Sequence, residues 1–295
     1  MNDNRFFIMV KLSNVVPVEK LPPVRSLSPS SWILRLPKLI PTLDRKLFHG
    51  FFKSHPPERR PIMMFGKQVY ENRWSQMYSI NTAGDGDDDS SSYTYSGFAR
   101  SCKVCDPAIP EEQFILELCH AADILIHQLI EENVMEAPKG WEDIPYKDEV
   151  EDHDDGDSDG KTRRCKSLYN CCLVNWYKPE HTIGLHADDE KEMDNDYPIL
   201  SLSWGGPRRF LLRPKPKSVG SAVDKVTDIL LKDGDVVIMG GKCQDEFKHE
   251  IPKVRKMDGL VGDRISWTIR RMKLNNQERS GNENKRRRVD TSNPT

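Results

Sequence analysis

The chain has 295 residues, 37% of them hydrophobic and 31% charged, with a formal net charge of −2. That is long enough for one large domain or two ordinary ones, and apolar enough for a real core. Read from the sequence, no apolar run reaches bilayer length, and residues 6–10 are too short for a signal-peptide core, so no membrane is expected and a cytosolic or nuclear home is. Seven scattered cysteines, an odd number, argue against a secreted disulfide framework. The Cys102/Cys105 pair lacks the second pair that a structural zinc site needs, so ordinary reduced thiols are expected.

The net charge hides an uneven distribution. Residues 148–159 hold eight acids and residues 84–89 four more; setting those twelve aside turns −2 into +10 for the remainder. A basic body suits a polyanionic partner, although charge spread over solvated faces gives the same count.

In chain order, residues 1–40 are rich in Pro and Ser and read as a loosely structured leader, with a short strand near its start as an option. A short helix is expected over 43–52, with Thr42 as N-cap and Pro56-Pro57 ending it. The run 62–67 closes on Phe65-Gly66-Lys67 and reads as a hairpin tip, and 92–97 as a short aromatic strand. Residues 83–92 and 147–163 read as flexible acidic loops. Between them, 111–131 repeats apolar residues at i, i+3, i+4 from Phe114 to Leu129, behind Pro110 and two acids: the strongest helix signal in the chain. Beyond the second acidic loop the pattern turns to strands at 168–177, 199–204, 209–213, 227–231, 236–239 and 264–273, with Asp233-Gly234 as a turn. Many short strands with one amphipathic helix predict an α+β fold, a jelly-roll core with flanking helices over 41–274. The tail 275–295 reads as disordered and basic; its Lys285-Arg-Arg-Arg288 run suits a nuclear import signal or a solvated tail.

His186 and Asp188 are two residues apart, so on an extended segment both side chains reach one ion. His249 is the candidate third ligand, with His181 as a competitor lacking a partner carboxylate. Two imidazoles and a carboxylate can occupy one face of a ferrous ion and leave positions open. Arg264, Ser266, Thr268 and Arg270 share one face of a strand, and Ile265, Trp267 and Ile269 the other. If the arginines point inward, burial demands an anion, and guanidinium forks match the carboxylates of 2-oxoglutarate; Asn175 and Tyr177 can add hydrogen bonds. If they point to water, no anion is called for, and periodicity leaves both orientations open.

With these pieces in view, residues 61–273 resemble the AlkB-like nucleic-acid dealkylases, most closely their nuclear DNA-repair branch. The matching motifs are Asn175-x-Tyr177, His186-x-Asp188-Asp189-Glu190, the runs 198–203 and 234–239, Lys248-His249-x-Ile-Pro252, and Arg264-x-Ser-x-Thr-x-Arg270. Upstream, Phe65-Gly66-Lys67, Arg73, Tyr78 and Tyr93-Thr-Tyr95 look like that branch's lid. The resemblance implies a double-stranded β-helix, Fe(II) on His186, Asp188 and His249, Arg264 on the distal carboxylate of 2-oxoglutarate, and Arg270 near its metal-bound end. It implies oxidation by O₂ and 2-oxoglutarate of a methyl group on a base nitrogen, with formaldehyde released. Ser266 stands where the family commonly has Asn, a shorter hydrogen-bonding group.

A target base must leave the stack to reach such a site. Tyr93, Tyr95 and Trp204 are candidate rings to hold it, Asp189 and Glu190 candidate acceptors for its amine, and Phe65 at the Gly66 turn a candidate wedge; Phe65 and Tyr95 as plain core residues are the alternative. The expected partner of a monomeric protein is alkylated DNA in the nucleus. Alternatives are the same chemistry on RNA or protein, and an inactive nucleic-acid-binding module.

Overall fold

Period-two strands with one apolar face each need two partners, and here each sheet finds them. The structure, a computed structural model, describes residues 21–40, 45–80, 92–138, 141, 168–216, 226–254 and 262–273. An eight-stranded sheet runs β1 (Arg25–Ser26), β2 (Ser31–Leu36), β14 (Val236–Gly241), β11 (Ile199–Gly205), β16 (Arg264–Arg270), β9 (Cys171–Tyr177), β5 (Trp74–Ser79), β8 (Lys103–Val104). It is antiparallel except for β5 with β8, so it is a mixed sheet. A four-stranded antiparallel sheet runs β10 (Ile183–His186), β15 (Phe247–Ile251), β12 (Arg208–Pro214), β13 (Thr227–Leu231).

Alternation along the central strands decides what each face touches. Cys172, Val174, Trp176, Leu200, Leu202, Trp204, Ile265, Trp267 and Ile269 turn one way, into a core shared with α1 (Arg45–Lys53) and α2 (Pro110–Glu131). Ile199, Val237, Met239 and Tyr177 turn the other way, against Phe210, Leu212, Phe247 and Ile251 of the small sheet. The layers are therefore helices, large sheet, small sheet.

α2 follows from its pattern: Pro110 sits in the first turn with Glu111 and Glu112, and Phe114, Ile115, Leu118, Cys119, Ala122, Leu125, Ile126 and Leu129 are buried. By length and composition α2 could cross a bilayer, with hydropathy 1.2, but its apolar face lies in the core. α1 is tied down by the Trp176 indole, which donates to the Phe51 carbonyl at 2.8 Å.

Several expectations change. The leader is not loose throughout: β2 pairs with β14 over six positions and buries Ile33, Leu34 and Leu36, so the folded body begins before residue 41. Proline and serine content masked a strand whose apolar residues are few but all inward. The short strands β5, β10 and β15 carry no clear strand signal in the sequence, because serines and histidines interrupt their few buried apolar residues, among them Met77, Ile183, Phe247 and Ile251. The hairpin β3 (Pro61–Met64) and β4 (Lys67–Tyr70) turns at Phe65-Gly66 as expected, and the aromatic strand is β6 (Ser92–Tyr95), paired with β7 (Phe98–Ser101). Thr42, most of the 83–92 loop, the 147–163 loop and the tail lie outside the described residues. The six described cysteines are free and buried.

Candidate active site

β10 and β15 pair so that His186 stands directly opposite His249. The two rings are 4.3 Å apart. Asp188, just past the end of β10, turns in beneath them: Oδ1 is 3.7 Å from His186 Nε2 and Oδ2 is 3.7 Å from His249 Nε2. One ligand atom from each residue lies within 4.8 Å of the others. His186 Nδ1 donates to the Gly184 carbonyl at 2.8 Å, which leaves the Nε2 lone pair facing the cluster. The Asp188 backbone N–H donates to Gln244 Oε1 at 2.9 Å, and Gln244 sits on the short helix α3 (Cys243–Glu246). His181, the competitor, lies outside this cluster, with its Nδ1 accepting the Lys178 N–H and its ring against Trp74.

The electrostatics suit metal ligation. Burial, helped by the neighbouring His186, pushes the His249 imidazole down to about 3, and burial lowers His186 as well, so both rings are neutral near pH 7. Burial alone would raise the Asp188 carboxyl; Arg270, then His249 and His186, outweigh it and hold it near 2. Two neutral imidazoles and one carboxylate on one side of a shared point are the donor set of a ferrous facial site.

The cluster opens into a cavity of about 440 Å³ counted out to its mouth, walled by β9, β11 and β16 on one side and by Ile183, Phe210 and Ile251 on the other. Asn175, Tyr177, Arg264, Ser266 and Thr268 all line it, which settles the orientation of β16: its polar face points in. Arg264 is 2% exposed and donates from Nη2 to Ser203 Oγ at 2.8 Å, with its guanidinium 5.1 Å from the Tyr177 ring centre. Its Nε and Nη1 have no partner. A buried guanidinium with two unmet N–H groups is costly by itself and fits an incoming carboxylate. The residues present therefore fit both an iron ion and a 2-oxo diacid.

Other expected residues sit elsewhere. Arg270 does not offer a free fork: it is buried and ion-paired to Glu190, with Asp188 Oδ1 at 3.9 Å. Glu190 is thus occupied by Arg270 instead of being open to a base. Asp189 is exposed and pairs with Lys215 at 3.1 Å. Arg73 is buried in the wall, donating to Asn175 Oδ1 at 2.6 Å beside Glu71, so it is a brace and not a surface contact. Trp204 is fully buried on the helix side of β11, 4.9 Å from Phe114 and 4.8 Å from Trp267, which removes it from the base-holding set, while Ser201 and Ser203, alternating with it along β11, take the other side. Tyr93 is buried among Met77, Cys102 and Met193, also a core residue. Tyr95 is half-buried under Arg100, 4.8 Å from the guanidinium. Phe65 is 98% exposed at its turn, and so not a core residue, with Met63 and Met64 exposed beside it.

Sequence reasoning missed Gln244, Ser203, Glu71 and Arg208. Ser203 closes one of the matched runs and could have been found there; the other three carry no local signal, because only the tertiary fold brings them to the site.

The pattern of the 2OG-Fe(II) oxygenase superfamily matches residues 44–270, and the chain belongs to that family, whose members use Fe(II), 2-oxoglutarate and O₂. It is 32% identical over 142 residues to the human protein named DNA oxidative demethylase ALKBH2, covering 47% of this chain and 49% of that one. It is 34% identical over 90 residues to mouse alpha-ketoglutarate-dependent dioxygenase alkB homolog 3, covering 29% and 31%. It is 35% identical over 82 residues to the tRNA demethylase abh1 of Schizosaccharomyces pombe, covering 28% and 25%. The similarity thus spans about half the length of these curated relatives or less.

Proposed function

We propose that this chain is an Fe(II)- and 2-oxoglutarate-dependent oxidative demethylase of N-alkylated bases in DNA. The observation that carries the reading is the His186–Asp188–His249 cluster opening into one cavity with the buried Arg264 guanidinium, whose Nε and Nη1 are unmet. In this reading His186, Asp188 and His249 hold the iron, which supplies the oxidising chemistry when bound. Arg264, supported by Ser203 and Tyr177, holds the far carboxylate of the cosubstrate. Asn175, Ser266 and Thr268 line the path between them, and Arg270 keeps Asp188 ionised. Leu173, Ile183, Phe210 and Ile251 keep water out. The two-sheet core fits a double-stranded β-helix, supported by the antiparallel small sheet packed on the centre of the large one.

For the substrate side, the exposed ring of Phe65 is the wedge, held out by a turn in which Phe65 (φ 51°) and Gly66 (φ 74°) both adopt left-handed backbone. Tyr95 borders the extruded base and Asp189 stands at the rim. The basic body and the Lys285–Arg288 run support a protein working on nucleic acid in the nucleus. RNA is the second reading, favoured by the likeness to a protein named as a tRNA demethylase.

The test is formaldehyde release from N-methylated single- and double-stranded DNA and RNA oligonucleotides with Fe(II), ascorbate and 2-oxoglutarate, against His186→Ala. Release from DNA that the variant lacks is expected. Release from RNA alone would move the substrate to RNA, and succinate without any demethylation would remove nucleic acid from the reading.

A further inference from the structure

Behind the far end of the cavity lies more buried positive charge than one carboxylate-gripping arginine accounts for. Arg208, the first residue of β12, is 0% exposed. Its fork donates to three backbone carbonyls: Nη1 to Pro207 at 3.0 Å, and Nη2 to Lys178 at 3.2 Å and Gly262 at 3.1 Å. Those carbonyls belong to three separate connections, all ending beside the Arg264 end of β16. Gly262 is two residues before Arg264, and the connections cross so tightly there that a Cβ on Gly206 would lie 2.5 Å from the Gly262 oxygen.

Carbonyls satisfy N–H groups but do not cancel a charge. The Nε of Arg208 has no partner, and neither do Nε and Nη1 of Arg264. Among the described residues neither guanidinium makes an ion pair; Asp263 and Glu180 act on Arg208 only from beyond hydrogen-bonding distance, and the Tyr177 ring lies against the Arg264 guanidinium. Arg264 bears on Arg208 as a buried like charge, and an anion entering beside Arg264 relieves that repulsion.

We propose that Arg208 is a positioning residue for the 2-oxo acid: with Arg264 it forms a paired-cation seat that selects a dianion over a singly charged 2-oxo acid of the same chain length. Arg264 makes the contact. Arg208 stands behind it, fixing the connections at 178 and 262 and adding its positive field to the one that the far carboxylate meets. The inference rests on the cosubstrate reading given above, and it adds a residue on a different strand from the matched Arg264–Arg270 motif.

The experiment is calorimetric binding of 2-oxoglutarate and of 2-oxovalerate to the full chain loaded with Mn(II), for the wild type, Arg208→Gln, Arg208→Lys and Arg264→Gln. Arg208→Gln is expected to lose about tenfold in 2-oxoglutarate affinity while 2-oxovalerate binding changes by less than about twofold, a charge effect of ordinary size for partly buried groups. Arg208→Lys, which keeps the charge but not the fork, is expected to stay within about threefold of wild type. Equal behaviour of the Gln and Lys variants, or equal loss for both ligands, would overturn the proposal. If Arg208→Gln does not fold, Arg208→Lys carries the test alone: retained preference for the dianion supports the seat, and a loss as deep as that of Arg264→Gln overturns it. A wild type that binds neither acid would instead sink the cosubstrate reading itself, so the two failures are distinguishable.

Discussion

At the scale of single residues, the site is built from groups that are unhappy without their partners. His249 is neutral in the fold because burial, with His186 alongside, depresses it to about 3, whereas in the unfolded chain it titrates near 6.5. Below that value the unfolded state takes up a proton that the folded state refuses, so stability is full above pH 6.5 and falls as pH drops. The metal-free protein is therefore expected to lose roughly 1.5 kcal/mol between pH 6.5 and pH 5 from this residue alone. Urea unfolding at the two pH values checks it, and His249→Asn should flatten the dependence. A second residue-scale prediction concerns Arg270. Glu190→Gln leaves that guanidinium leaning on Asp188 alone, and a cost of about 3 kcal/mol is expected in the same unfolding assay. Wild-type stability in this variant would mean that the Glu190 pairing is dispensable.

At the scale of elements, α2 and the β3–β4 hairpin mark two extremes. α2 is held by burial: Leu118 is 2% exposed, and Leu118→Ala is expected to cost about 2–5 kcal/mol while leaving the ligand cluster on the other face of the sheet in place. The hairpin tip is the reverse. With Phe65 98% exposed, Phe65→Ala should shift stability by less than about 0.5 kcal/mol. If the ring is a wedge, the same change lowers turnover on duplex DNA several-fold and spares single strands, which an oligonucleotide assay reads directly. What the sequence made legible follows the same division. α2, β9, β11, β12, β13, β14 and β16 announce themselves because their apolar periods are long or their turns sharp. β10 and β15 do not, since His186 and His249 take the inward positions that hydrophobic residues would have marked. The ligands were legible through spacing and motif instead. Trp204 and Tyr93 were misassigned because aromatic residues serve cores and stacking sites equally well, and only the face of the strand tells which. Glu190 and Arg270 were each given an external partner, and the fold gives them to one another.

At the scale of the whole molecule, charge is the controlling quantity. Residues 148–159 carry eight acids and no Lys or Arg. If they compete with nucleic acid for a basic body, deleting them should tighten binding to single-stranded DNA and steepen its salt dependence, because more phosphate contacts then release counterions. Titration of a fluorescent oligonucleotide at several salt concentrations checks this, and unchanged affinity at low salt would dismiss the competition.

The pairing of β2 with β14 bears on how the protein can be handled. A chain trimmed to begin at residue 44, where the family match starts, would strip the strand that shields Val236–Gly241. Its backbone amides and carbonyls would then lie bare along a flat apolar ribbon, ready to zip onto the same ribbon of another molecule. Shortened versions should clump on concentration even with every metal ligand intact, and keeping residues 21–40 should cure it.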